Sequence, residues 1–209
     1  MYQPSAFMQE HKGSLLACIR DYPLATLICT GDFGVEVNHL PLQLFTENGT
    51  ITLQGHIAKQ NTLWEIAEHI TSTLAVFQGP NAYISPSWYP SKTENPKVVP
   101  TWNYIAVHVN GTPTFHHERD WKLAHLKTLT EHHERHHEPS WEIADAPADF
   151  TDKLLEVIVG FEINVTKVSG KFKLSQNQTL ANRKGIRANL ERSTHAMDKA
   201  LAAFIYCDH

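Results

Sequence analysis

Two short turns decide what kind of sheet this chain can form. Gly31-Asp32-Phe33-Gly34 separates the apolar run 24–30 from the extended run 35–45, and Glu47-Asn48-Gly49 separates that run from 50–54. Asn-Gly accepts the positive φ of a tight hairpin. Connections this short join antiparallel neighbours, because parallel strands need crossovers of about a dozen residues or more. The start of the chain therefore reads as an antiparallel meander rather than a doubly wound sheet. A helix is expected before it, over 5–21, where Phe7, Leu15, Leu16 and Ile19 share a face and Tyr22-Pro23 stops it.

The rest of the chain extends the pattern. A helix is expected over 61–70, with Leu63, Ile66, Ala67 and Ile70 as its apolar side and Asn61 or Thr62 as its cap. Strands are expected at 72–78, at 82–88 with an interruption at Pro86, and at 98–109. Helices follow over 118–137 and 147–158. Phe161, Ile163 and Val165 then alternate with Glu162, Asn164 and Thr166, a half-buried strand that runs on through 170–174. The tail, 183–205, reads as mostly helical. At least six antiparallel strands with peripheral helices imply a mainly β fold, a small closed barrel with helices packed outside.

Composition narrows the function classes. With 209 residues, 42% of them apolar and 19% charged, the chain has material for one core and a helical appendage. The expected division is a barrel domain over 1–178 and a C-terminal helical extension over 179–209. A net charge of -4 speaks against a uniformly basic nucleic-acid coat. No apolar run reaches the roughly 18 residues of a membrane span, and residues 1–12 lack the basic start and apolar stretch of a signal peptide. Cys18, Cys29 and Cys207 form no C-x-x-C, which fits a reduced, cytoplasmic protein.

Four segments carry chemistry. The first is Gly55-His56-Ile57-Ala58-Lys59-Gln60-Asn61, joining a strand to a helix start. Free N–H groups there, with Lys59, His56 and Asn61, describe a phosphate seat; a capped helix with a solvated lysine is the plainer reading. In the second, Gly170 to Asn177, a period of two puts Lys171, Lys173 and Ser175 on one face against Phe172 and Leu174 on the other. Adjacent lysines repel unless an anion lies between them, or they simply guard an exposed strand. The third, 83–90 with Pro100-Thr101-Trp102-Asn103-Tyr104, concentrates aromatics, hydroxyls and an amide, as a planar heterocycle requires; barrel core plus rigid loops is the alternative. Thr101 and Asn103 share parity with Ile105 and Val107, so their polar groups need a bulge or a ligand.

The fourth segment holds part of an unusual histidine content, fourteen in all. On a helix His132 pairs with His136 and His133 with His137, one turn apart, which could chelate zinc or nickel or merely form a polar face. The order is not H-E-x-x-H. There is also no G-x-x-x-x-G-K-[ST], G-x-G-x-x-G or G-x-S-x-G, so a nucleotide-phosphate loop and an esterase elbow are unsupported. No residue is singled out as catalytic and no metal ligand is assigned.

Eight segments occur together in order: Met1-Tyr2 with Pro4 and Phe7, Asn38-His39-Leu40-Pro41-Leu42, Gly55 to Asn61, Phe77-Gln78-Gly79-Pro80, Tyr83 to Tyr89, Val99 to Tyr104, Ile158-Val159-Gly160-Phe161-Glu162, and Gly170 to Asn177. In this the chain resembles the PaiB-type family of FMN-binding negative transcriptional regulators, from its first residues to about Arg192. The resemblance implies an FMN-binding split β-barrel, like those of flavin reductases and pyridoxamine phosphate oxidases, and a homodimer with FMN near the subunit interface. It implies cofactor contacts from Asn38, His39, Leu40, His56, Ala58, Lys59, Asn61, Thr101, Trp102, Asn103, Lys171, Lys173, Ser175, Gln176 and Asn177. The phosphate would lie on Lys59, Asn61 and one or both of Lys171 and Lys173. The ring would lie along 38–41 and the Trp102/Asn103 segment. Thr62 departs from the family's frequent proline, and the His132–His137 run exceeds the family pattern. The function implied is a flavin-binding regulator with a DNA or protein partner. An FMN-dependent oxidoreductase or flavin reductase on the same scaffold is the alternative, since hydride transfer is chemistry the cofactor carries. A zinc protein using the histidine run is a third.

Overall fold

The structure, a computed structural model, describes residues 1–207. Among them are eight strands, β1 (Met8–Gln9), β2 (Leu24–Gly31), β3 (Gly34–Pro41), β4 (Gln43–Glu47), β5 (Thr50–Ala58), β6 (Ile70–Ile84), β7 (Thr101–His116) and β8 (Ile158–Lys173). The helices are α1 (Lys12–Asp21), α2 (Arg119–Glu134), α3 (Ala148–Glu156), α4 (Leu180–Arg192) and α5 (Ala196–Ala202). The strand order is β3-β2-β6-β7-β8-β5-β4, with β1 paired to β8.

Both predicted hairpins are present, each with a two-residue loop. Gly31 pairs with Gly34 and Glu47 with Thr50. Asn48 and Gly49 have φ of 49° and 84°, the left-handed pair that the twist of a tight hairpin demands. The extended run 35–45 divides at Leu42. That residue is buried, and its N–H leaves the ladder to reach the Pro23 carbonyl at 2.9 Å. The chain thereby passes from the β2 neighbour to the β5 neighbour.

Several elements differ from the sequence expectation. The helix expected over 5–21 begins only at Lys12, after a 3-10 turn at Ser5–Phe7 and the short strand β1. The helix expected over 61–70 is two single 3-10 turns, Thr62–Trp64 and Ala67–His69. Asn61 accepts from the Leu63 N–H at 3.1 Å, which closes a turn too tight to propagate as an α-helix, and Ile70 already opens β6. The strands expected at 72–78 and 82–88 are one, because Gly79-Pro80 is accommodated inside β6 and pairing ends only at Ile84. The helix carrying the histidine run ends at Glu134. His136 and His137 lie beyond it, so the expected one-turn pairs do not form. Among the described residues no group of three or more His, Cys, Asp or Glu could hold a metal ion.

The chain forms two compact units. One contains residues 1–22, 77–108 and those from 169 onward; the other contains 23–76 and 109–168. The core of the first gathers Ile19, Phe77, Ile84, Ile105, Val107, Ile186 and Leu190, all fully or nearly fully buried. The core of the second gathers Leu27, Leu42, Leu53, Ile57, Val159, Phe161 and Ile163. β6, β7 and β8 each contribute residues to both units. No helix of the described residues is long and apolar enough to cross a membrane, and Cys18, Cys29 and Cys207 are free thiols.

Candidate functional site

The Gly55–Asn61 segment lies in the second unit at the end of β5. Its backbone is held on both sides of Lys59. The Lys59 N–H donates to the Val157 carbonyl at 2.8 Å, and the Trp64 indole donates to the Lys59 carbonyl at 3.0 Å. The side chain is exposed and forms no ion pair among the described residues. Asn61 caps the next turn through Oδ1, while its Nδ2 donates to Asn38 Oδ1 at 2.6 Å. The seat is thus tied by one side-chain bond to β3, the strand expected along a flavin ring. Ala58 is exposed beside it.

β3 ends the strand order. Its side away from β2 therefore offers backbone N–H and C=O groups outside the ladder. Asn38 and Leu40 are half-buried, and His39, on the opposite face, is exposed and hydrogen-bonded to Thr26 at 3.2 Å.

His56 turns its ring away from solvent. Its Nδ1 lies 3.1 Å from Nε2 of His125 on α2. His125 is 3% exposed, and its Nδ1 is buried with no hydrogen-bond partner. Burial, with His56 as a second cause, pushes the His125 pKa down to about 4, and burial lowers that of His56 as well. Both rings are therefore neutral near pH 7, one donating to the other. Trp121, one turn earlier on α2, stacks against His125 at 5.5 Å and against His116 at 4.2 Å between ring centroids.

Beside Lys59 is a cavity of about 510 Å³ lined by Lys59, His117, Arg119, Lys122, Asp152 and Leu155, among others. Arg119 is paired with Asp152. Lys122 is buried and donates to the Leu155 and Ile158 carbonyls at 2.5 and 3.3 Å, a cation on the last turn of α3 as its dipole favours. Burial and then the nearby Lys59 lower the Lys122 pKa.

The first unit holds the other predicted residues. Asn103 is completely buried on β7; its Nδ2 donates to Ser175 Oγ at 2.9 Å, and that hydroxyl lies 3.2 Å from Asn103 Oδ1. The polar residue expected to need a bulge or a ligand has a side-chain partner instead. Ser175 sits at φ 61°, a conformation uncommon for a non-glycine residue. Gln176 pins the same turn, accepting from the Leu174 N–H at 2.8 Å and donating to the Phe172 carbonyl at 2.5 Å. Lys173 donates to the Thr101 hydroxyl. Lys171 is only 9% exposed, with its ammonium 5.4 and 5.5 Å from the ring centres of Tyr2 and Tyr104, so its charge faces aromatic quadrupoles. Neither lysine guards an open strand face. Trp102 is exposed and meets Tyr83 edge-on at 6.1 Å; Asn177 is exposed.

Sequence reasoning singled out none of His125, Trp121 and Lys122 for this site. One signal was available: Trp121 and His125 are four apart, one face of a helix.

Comparison with known proteins shows the family. The family model described as "Putative FMN-binding domain" matches residues 1–167. Protease synthase and sporulation protein PAI 2 of Bacillus subtilis is 30% identical over 202 residues, 97% of this chain and 95% of that protein. An uncharacterised protein of Saccharomyces cerevisiae is 42% identical over 106 residues, 49% of this chain and 62% of that one. Among solved structures, the FAD and heme binding protein from Mycobacterium smegmatis superposes with a TM-score of 0.57 at 17% identity, covering 79% of this chain and 73% of that one. That likeness shows the fold, the flavin-binding split barrel expected from the sequence. The chain belongs to the FMN-binding domain family, with FMN as the family's cofactor and PAI 2 among its relatives.

Proposed function

We propose that this protein binds FMN as a homodimeric regulator of the PAI 2 type. The observation that carries the reading is the Lys59/Asn61/Asn38 arrangement: an exposed cation without an ion pair among the described residues, on a backbone fixed at both its N–H and its carbonyl, tied to an open strand edge. These groups suit FMN. The Lys59 and Asn61 N–H groups donate to the Val157 and Ala58 carbonyls, so a dianionic phosphate takes the Lys59 ammonium, and the polar edge of a flat ring takes those backbone groups of 38–40 that face away from β2. When bound, FMN supplies reversible electron and hydride acceptance. The protein's part is to bind, orient and screen it. Lys173, Thr101 and Trp102, with Lys171 behind them, are proposed as a cationic and aromatic surface of their own unit.

Lys59→Ala is expected to weaken FMN binding roughly ten- to a hundredfold, the range for a lost charge-assisted bond, read by flavin fluorescence titration. Unchanged affinity contradicts the seat. The FMN-loaded wild type mixed with NADH and with NADPH separates the two functional readings: stable flavin colour with both donors supports a regulator, and stoichiometric bleaching supports a reductase.

The dimer is supported by the outer face of β2 and β3. Leu24, Val35 and Val37 are exposed there, Val35 to 64%, and register pairs Ile28 with Val37 and Thr30 with Val35 on that face. A β-branched, uncharged face on a strand at the end of the sheet invites a partner. Val37→Glu is expected to shift the protein from dimer to monomer in light scattering after gel filtration; a monomeric wild type contradicts the dimer.

A further inference from the structure

We propose that His125 is a positioning residue for the FMN phosphate seat, acting through His56 from a helix docked on the seat strand. The inference rests on the FMN reading above and goes beyond it by assigning a role to α2.

The contact is built where the sheet has room for it. His56 stands three residues before Lys59 on β5, and its register partner on β8 is Gly160. A Cβ at Gly160 would lie 2.2 Å from Trp121 Cζ3 and 2.6 Å from Cε3. The indole therefore occupies the space a side chain would take, and only glycine lets α2 approach this closely. Trp121 packs between His116 of β7 and His125, fixing the tilt of the His125 ring. His125 then delivers Nε2 to His56 Nδ1. This gives the Ile158–Glu162 motif a function: its glycine is the docking point of the helix that braces the seat.

The arrangement carries a cost that simple packing would avoid. His125 Nδ1 and His116 Nε2 are both buried without a hydrogen-bond partner, and the nearest charge to the latter is Glu162 at 3.8 Å. A phenyl ring at position 125 would fill the same space and remove the orphaned Nδ1, but would leave His56 Nδ1 without its partner. What it would not do is hold the His56 ring, and with it the direction in which β5 runs into Ala58 and Lys59. An indirect role of this kind predicts a selective loss. The brace acts on the phosphate end, so it matters for FMN and not for riboflavin, which has the same ring and no phosphate.

The test compares dissociation constants of FMN and riboflavin for wild type, His125→Phe and His125→Gln, by flavin fluorescence titration at neutral pH. His125→Phe is expected to weaken FMN about tenfold and leave riboflavin within about twofold, the scale of one lost buried hydrogen bond. His125→Gln, which can still reach His56, is expected to recover most of the difference. If His125→Phe does not fold, His125→Asn replaces it, polar but too short to reach, with the same selective loss expected. Equal weakening of both ligands, or of neither, overturns the positioning role while the seat stands. A wild type that fails to prefer FMN over riboflavin overturns the seat itself, and this inference with it.

Discussion

Acidification from pH 6.5 to 4 is expected to cost the fold about 3 kcal/mol through the buried histidine pair. The His125 pKa is about 4 in the folded chain and near 6.5 in an unfolded one. Between those values the unfolded chain binds the proton and the folded chain does not, so stability rises with pH across this window and falls as pH is lowered through it. Below about 4 both states are protonated and the loss stops growing. His56, lowered by burial, adds in the same direction, and the two titrate as a coupled pair. Urea denaturation midpoints of wild type and His125→Gln, measured at several pH values, isolate the effect. The wild type is expected to lose stability relative to the variant as pH falls. Parallel curves would mean that His125 is not held neutral.

Phe161→Ala is expected to cost about 3–5 kcal/mol, the range for emptying a buried aromatic site. Phe161 is 1% exposed on β8 and pairs with Gly55 on β5. Its ring covers that glycine so closely that a Cβ there would stand 2.9 Å from Phe161 Cζ, and Phe115 tilts against it at 6.0 Å. The strand that leads into the proposed phosphate seat rests on this ring. A thermal melt reads the loss, and FMN is expected to recover part of it by binding only the folded state. A shift of less than about 1 kcal/mol would mean that the cavity collapses and the ring is not the floor of the strand.

What was legible in the sequence was local. The hairpins at 31–34 and 47–49 need residues that accept left-handed or tight backbone, and those residues announce themselves. The Asn38, Lys59 and Asn61 motif could be quoted from the chain, and the family comparison covers it. The 61–70 segment misled because its apolar spacing fits a helix, while the Asn61 cap and the start of β6 leave space only for single turns. Asn103 was expected to need a bulge or a ligand because its side-chain partner, Ser175, is 72 residues away. The His56–His125 contact spans 69 residues, and nothing near either histidine marks the other. For Lys171, period two says which face a residue takes, and not that Tyr2 and Tyr104 flank it.

The central claim is that this chain retains FMN, and the visible absorption spectrum of the purified protein, before and after addition of FMN and desalting, tests it most directly. A two-band flavin spectrum that survives desalting, and fades in Lys59→Ala, is the predicted result. A wild type that remains colourless after FMN is added and removed would contradict it.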